Sequence, residues 1–113
     1  MLIIERLIGD VFVETVNLEK GTITEAGTLK EILENRIAGG TNKFVIDISA
    51  CEFIDSTFLG VLVNSLKKSV KAGGDLKLVG FKPAVHAMFE LTRLYRVFET
   101  FSDVQSAVKS FSK

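Results

Sequence analysis

FVIDISACEFIDSTFLGVLVNSL, residues 44–66, changes periodicity within a few residues. Phe44, Val45, Ile46 and Ile48 form a near-continuous apolar run over Phe44–Ser49, which suits a strand buried on both faces of a sheet. A short loop follows. Asp55, Ser56 and Thr57 then open an apolar helix that places Leu59, Leu62, Val63, Leu66 and Val70 on one side. Asp55 is positioned to N-cap this helix, and Asp47, near the end of the strand, to satisfy nearby backbone donors. Two hydroxyls and a carboxylate thus gather at a helix N-terminus, where unpaired N–H groups and the positive end of the macrodipole favour negative charge. A phosphate on Ser56 would gain local stabilisation there and add two negative charges to a surface otherwise near neutrality. The pattern points to a switch site and not to a catalytic centre.

Outward from this stretch the apolar period alternates. Leu2 to Leu7 and Val11 to Val16 read as strands joined by a compact Gly9-Asp10 turn. In the second, Val11, Val13 and Thr15 face one side and Phe12, Glu14 and Val16 the other, with the buried face left open by an imperfect alternation. Thr24 is placed to cap a helix carrying Leu29, Ile32, Leu33 and Ile37, which Gly39-Gly40 ends. Gly73-Gly74 stops the central helix after Lys67, Lys68 and Lys71, cations that suit a helix C-terminus. Leu76, Leu78 and Val79 predict a strand. Pro83 starts a helix with Val85, Met88, Phe89 and Leu91. Arg96 to Phe98 read as a short edge strand, and Ser102 as the cap of a last helix through Val104, Ala107, Val108 and Phe111. The order ββαβαβαβα predicts an α/β fold with a mainly parallel sheet and right-handed crossovers.

Composition narrows the function. The chain's 113 residues, 47% of them hydrophobic, are enough for one core and one domain. Fourteen basic and fourteen acidic side chains give no electropositive surface for direct nucleic-acid binding. No window has the length of a membrane span, and the charged start MLIIERLIGD does not suit a signal peptide, so neither membrane insertion nor export is expected. A lone Cys51 and a lone His86 provide neither an internal disulfide nor a set of zinc ligands. The expectation is a cytoplasmic domain without metal or cofactor.

Catalysis is a poor fit. Ser56 and Thr57 supply hydroxyls, but a serine hydrolase needs a base and a group to orient it. His86, in PAVHAMFEL, falls on a helix flank without partners, and the Gly-x-Ser-x-Gly elbow is missing. The paired glycines belong to helix ends and not to a phosphate-binding fingerprint. Cys51 reads as a small loop or core residue. Phe58, Val61 and Ser65, at i, i+3 and i+7, fall beside the main apolar stripe and are expected to form a recognition strip shared with packing.

Residues 45–103, VIDISACEFIDSTFLGVLVNSLKKSVKAGGDLKLVGFKPAVHAMFELTRLYRVFETFSD, resemble the STAS-domain anti-sigma factor antagonists, or anti-anti-sigma factors. The shared features run in family order: a V-x-D-hydrophobic strand, F/M-D-S-S/T-x-L-G, a helix, GG before a strand, a helix, and L-x-x-V/I-F. The resemblance implies a single STAS-like α/β domain over residues 1–113, a mixed, mainly parallel sheet with an N-terminal hairpin and about four packed helices. It further implies that Ser56 is the phosphoacceptor of a serine-kinase anti-sigma factor. The unphosphorylated form would bind that factor and release a sigma factor, and a serine phosphatase would regenerate it. Asp55, Ser56, Thr57, Phe58, Val61 and Ser65 are the expected partner-binding residues, with no catalytic, cofactor or metal residues. Two positions depart from the pattern. Phe58 stands where the family often has glycine, and NLEKGTITEAG replaces the G-E/D-L/I-D segment. Two other readings stay open: a STAS scaffold in another signalling or lipid-transport complex, and a small nucleotide- or metabolite-binding domain using the helix N-terminus.

Overall fold

The computed structural model describes residues 3–112, apart from the side chains at 23 and 24. Gly9 has φ +63, a conformation that L side chains rarely adopt, and with Asp10 it forms the two-residue turn between β1 (Ile3–Ile8) and β2 (Val11–Val16). The strands pair antiparallel from Ile3↔Val16 to Ile8↔Val11. Leu2, expected to begin the first strand, lies outside the described residues. After β2 come β3 (Lys20–Gly21), α1 (Ile23–Ala38), β4 (Lys43–Asp47), β5 (Phe53–Ile54), α2 (Ser56–Lys71) and β6 (Asp75–Val79). The order ends with α3 (Pro83–Leu91), a 3-10 turn (Leu94–Arg96), β7 (Thr100–Phe101) and α4 (Val104–Ser110).

The five-stranded sheet has the order β1-β2-β4-β6-β7 and is parallel beyond the hairpin. Because each new strand adds on the same side, right-handed crossovers put α1, α2 and α3 on one face. Ala26, Leu29 and Leu33 of α1, Leu59, Leu62 and Leu66 of α2, and Val85 and Phe89 of α3 share one core with Val16, Phe44, Ile46, Leu76 and Leu78. The last element turns back to the other face, where Ala107 closes a smaller core over Val11, Val13, Val45 and Val79. Thus β2 is buried on both faces, which accounts for its broken alternation. Lys77 of β6 reaches into the α4 layer. Its ammonium lies 2.9 Å from Glu99, 2.5 Å from Ser110 Oγ and 4.3 Å from the Phe111 ring centre.

Several boundaries differ from the sequence expectation. The residue capping α1 is Thr22, not Thr24; Glu25 accepts hydrogen bonds from the Thr22 N–H at 3.1 Å and from its hydroxyl at 2.6 Å. The segment 96–98 is no strand, because Val97 and Phe98 donate backbone bonds to Leu94 and the chain closes on itself. Pairing with β6 begins at Thr100 instead. Asp103, and not Ser102, caps α4 by accepting from Ser106 N–H at 2.8 Å. Val70 and Leu91, placed on apolar stripes, are 54% and 85% exposed and lie outside the buried faces of their helices.

Candidate partner-binding site at the start of α2

In a parallel sheet the loops beyond the strand C-termini are the natural place for a site, and the loop after β4 lies there. It is held at several points. Asp47 Oδ1 accepts from Ser49 N–H at 3.0 Å and from Ser49 Oγ at 2.6 Å. Gly80, at φ +72 after β6, comes so close that a Cβ there would lie 2.4 Å from Ser49 Cβ. The two-residue parallel pair of β3 with β5 fixes the end of the loop, with Glu19 O accepting from Glu52 and Phe53 N–H at 2.6 and 3.1 Å. Single-residue periodicity carries no signal for so short a pair, and the sequence reading missed it.

From this support the chain enters α2. Asp55 is extended and accepts from Phe58 N–H at 2.8 Å, an N-cap that satisfies one of the orphan donors of the first turn. Ser56 and Thr57 are exposed, and their own N–H groups precede the first helical acceptor. Replacing Asp55 with Ala removes the cap bond, with an expected loss of about 1 kcal/mol of folding stability, measured by urea unfolding.

Packing limits what the expected strip of Phe58, Val61 and Ser65 presents to a partner. Phe58 is fully buried, and Ser65 and Val61 are 4% and 9% exposed. The buried face of α2 spans Phe58, Leu59, Val61, Leu62, Ser65, Leu66 and Ser69. It is wide because α2 packs against the sheet on one side and α1 on the other. Ser69 Oγ donates to Ser65 O at 2.8 Å, so the serine hydroxyl is satisfied within the helix. The structure therefore brings Asp55, Ser56 and Thr57 together at the helix start and encloses Phe58, while Val61 and Ser65, largely covered, line the floor of the groove between α1 and α2. A polar serine repeat on the buried side of a helix that touches two layers is the clue a single-stripe reading overlooks.

Two concavities adjoin the entry into α2. A groove of about 510 Å³ between α1 and α2 begins at Thr57 and passes Lys30, Glu34, Asn64 and Lys68. On the other side, Phe53, Ala84, Ala87, Met88 and Leu91 line an apolar hollow of about 290 Å³. Phe53 is 49% exposed, two residues before the capping Asp55. Sequence reasoning did not single out Phe53, whose signal is a large aromatic next to the charged Glu52 in a short loop.

The other candidates offer no chemistry. Cys51 is fully enclosed, and burial followed by the nearby Asp47 charge pushes its thiol up to about 11. His86 is exposed on α3, 3.4 Å from Glu90. Among the described residues no cluster of three His, Cys, Asp or Glu could hold a metal ion, and no helix is long and apolar enough to cross a membrane.

Comparison with known proteins gives this geometry a family. The STAS domain family matches residues 21–107. A Thermotoga maritima protein named "putative anti-sigma factor antagonist" is 29% identical over 108 residues, 92% of each chain. A Thermotoga neapolitana protein named as a homologue of such an antagonist is 30% identical over 94 residues, 83% of this chain and 80% of its own. The crystal structure of a T. maritima protein with the same designation superposes with a TM-score of 0.88 at 27% identity, covering 98% of this chain and 95% of that one. The chain belongs to the STAS-domain family, alongside its anti-sigma factor antagonists.

Proposed function

We propose that this chain is an anti-sigma factor antagonist that binds a serine-kinase anti-sigma factor while Ser56 is unmodified, thereby releasing a sigma factor. Phosphorylation of Ser56 by that kinase ends the association, and a serine phosphatase restores it. The chain works in the cytoplasm as one STAS domain over residues 1–113, the substrate of its partners' chemistry.

The observation that carries this reading is the exposed Ser56 hydroxyl on a helix start that Asp55 caps from below. A phosphate there meets the free first-turn N–H groups, so the modified helix remains folded. The same phosphate places about two negative charges and added bulk on a surface adjoined by the Phe53–Leu91 hollow and the α1–α2 groove. A partner that buries this surface must desolvate that charge. The relatives named as anti-sigma factor antagonists support the choice of partner class. Phe58 acts indirectly, by setting the position of α2, while Val61 and Ser65 meet the contact surface at the floor of the α1–α2 groove.

The test is incubation with ATP and the serine kinase encoded beside this chain's gene, followed by mass-spectrometric mapping and a binding measurement. The expected result is phosphate on Ser56 and weaker kinase binding afterwards. An unmodified chain with no affinity for the kinase overturns the proposal. Binding without modification keeps the partner and rejects the switch.

A further inference from the structure

Glu14 stands in the core of β2, 0% exposed, and neither of its carboxyl oxygens has a hydrogen-bond partner among the described residues. It lies directly opposite Glu5 on β1, so the two carboxyl groups share the sheet face that α1 covers. Arg36 of α1 is the cation of this corner, but its fork is turned to Glu5: Nε donates to Oε2 at 3.1 Å and Nη2 pairs with Oε1. The guanidinium also sits over the Phe12 ring, 4.5 Å from its centre. Glu5 from β1 and Arg36 from α1 are the charged groups that face Glu14; its neighbour on β4 is Ile46.

This arrangement leaves an ionised Glu14 with no donor and with a like charge beside it. Burial and the repulsion both favour the neutral acid, and a neutral Glu14 leaves Arg36 free to serve Glu5 alone. We propose that Glu14 is carried in the folded chain as a neutral carboxylic acid beside the Glu5–Arg36 clasp that fastens the N-terminal hairpin to α1, and that the clasp loosens when alkali removes the proton. The device is remote from Ser56 and independent of the switch proposed there.

The titration behaviour of the two acids agrees with the geometry. Arg36 holds the Glu5 carboxyl below its ordinary value. Burial first, and Glu5 second, raise Glu14 from 4.5 to about 9. A folded-state value above the unfolded one means that the unfolded chain releases this proton first as pH rises. The stability contributed by the clasp is therefore full below about 4.5, declines between there and 9, and is absent above.

The experiment is a pH titration of the full chain with side-chain carboxyl ¹³C-labelled glutamate, assigned by through-bond correlation. One glutamate resonance should titrate at least about two pH units above the rest and vanish in Glu14→Gln. Glu5→Gln should move that midpoint downward by removing the like charge. Methyl resonances of Ile3, Val16 and Ile32 should shift with the titration, while those of Ile54 and Leu59 stay still. In parallel, the wild-type urea midpoint should fall from pH 5 to 9, and the Glu14→Gln midpoint should not. If Glu14→Gln does not fold, the wild-type and Glu5→Gln titrations decide alone. Ordinary titration of every glutamate, or an unfolding midpoint with the same pH dependence in wild type and a folded Glu14→Gln, overturns the clasp.

Discussion

Phe58→Ala should lower folding stability by about 3–5 kcal/mol, a large part of the roughly 5–15 kcal/mol that holds a domain of this size together. The thermal midpoint should drop by on the order of 10–20 °C. The argument rests on burial. Phe58 is among the largest fully enclosed side chains and belongs to the core shared by α1, α2, α3 and the sheet. Truncating it removes transfer energy and leaves a cavity that the helix, tied by the Asp55 cap and the β3–β5 pair, closes only in part. Phe58→Gly should cost about 1 kcal/mol more through helix propensity. Differential scanning calorimetry decides the matter. A change below about 0.5 kcal/mol, the size expected of a surface residue, would show that Phe58 is not enclosed.

Ser56→Glu and Ser56→Ala should separate binding from folding. Both change an exposed side chain at the first helical position, so unfolding midpoints should stay within about 0.5 kcal/mol of the parent. Their effects on the proposed kinase partner should differ. Ser56→Ala adds no charge and should bind much like the unmodified chain while accepting no phosphate. Phosphorylated Ser56 should bind about a hundredfold more weakly, equivalent to roughly 3 kcal/mol of desolvation and repulsion at a closed interface. Ser56→Glu should fall between them, near tenfold, because one carboxylate carries less charge and fewer acceptor oxygens than phosphate. Calorimetric titration against the partner supplies the comparison. Equal affinity for all three forms would separate phosphorylation from release.

Much of the architecture was legible because its signals are long or chemically specific. The apolar run ending at Asp47, the Gly9 turn, the glycines after α1 and α2, and Pro83 at the start of α3 all carry local physics that the tertiary structure leaves intact. The illegible parts depend on partners distant in sequence. Lys20–Gly21 becomes a strand only because Phe53–Ile54 lies beside it. The segment after α3 takes a tight turn because Arg93 adopts φ +59 and directs Phe98 into the core. At the candidate site, Asp55, Ser56 and Thr57 could be placed from helix-start chemistry alone. Phe58, Val61 and Ser65 could not, because the width of a buried helix face is set by the number of layers it touches. The place of Glu14 was equally hidden: the imperfect alternation of its strand left the buried face open, and only the helices on both sides of the sheet show that both faces are covered.

The pinned entry into α2 bears on how Ser56 can be recognised. The capping carboxylate, the free N–H pair and the aromatic shoulder at Phe53 converge only after residues 19–21, 47–58 and 80 have assembled. A peptide with the same covalent sequence has none of that relief. A kinase that modifies Ser56 as proposed would therefore read a three-dimensional epitope in place of a linear motif, and its selectivity would double as an inspection of whether the domain is folded.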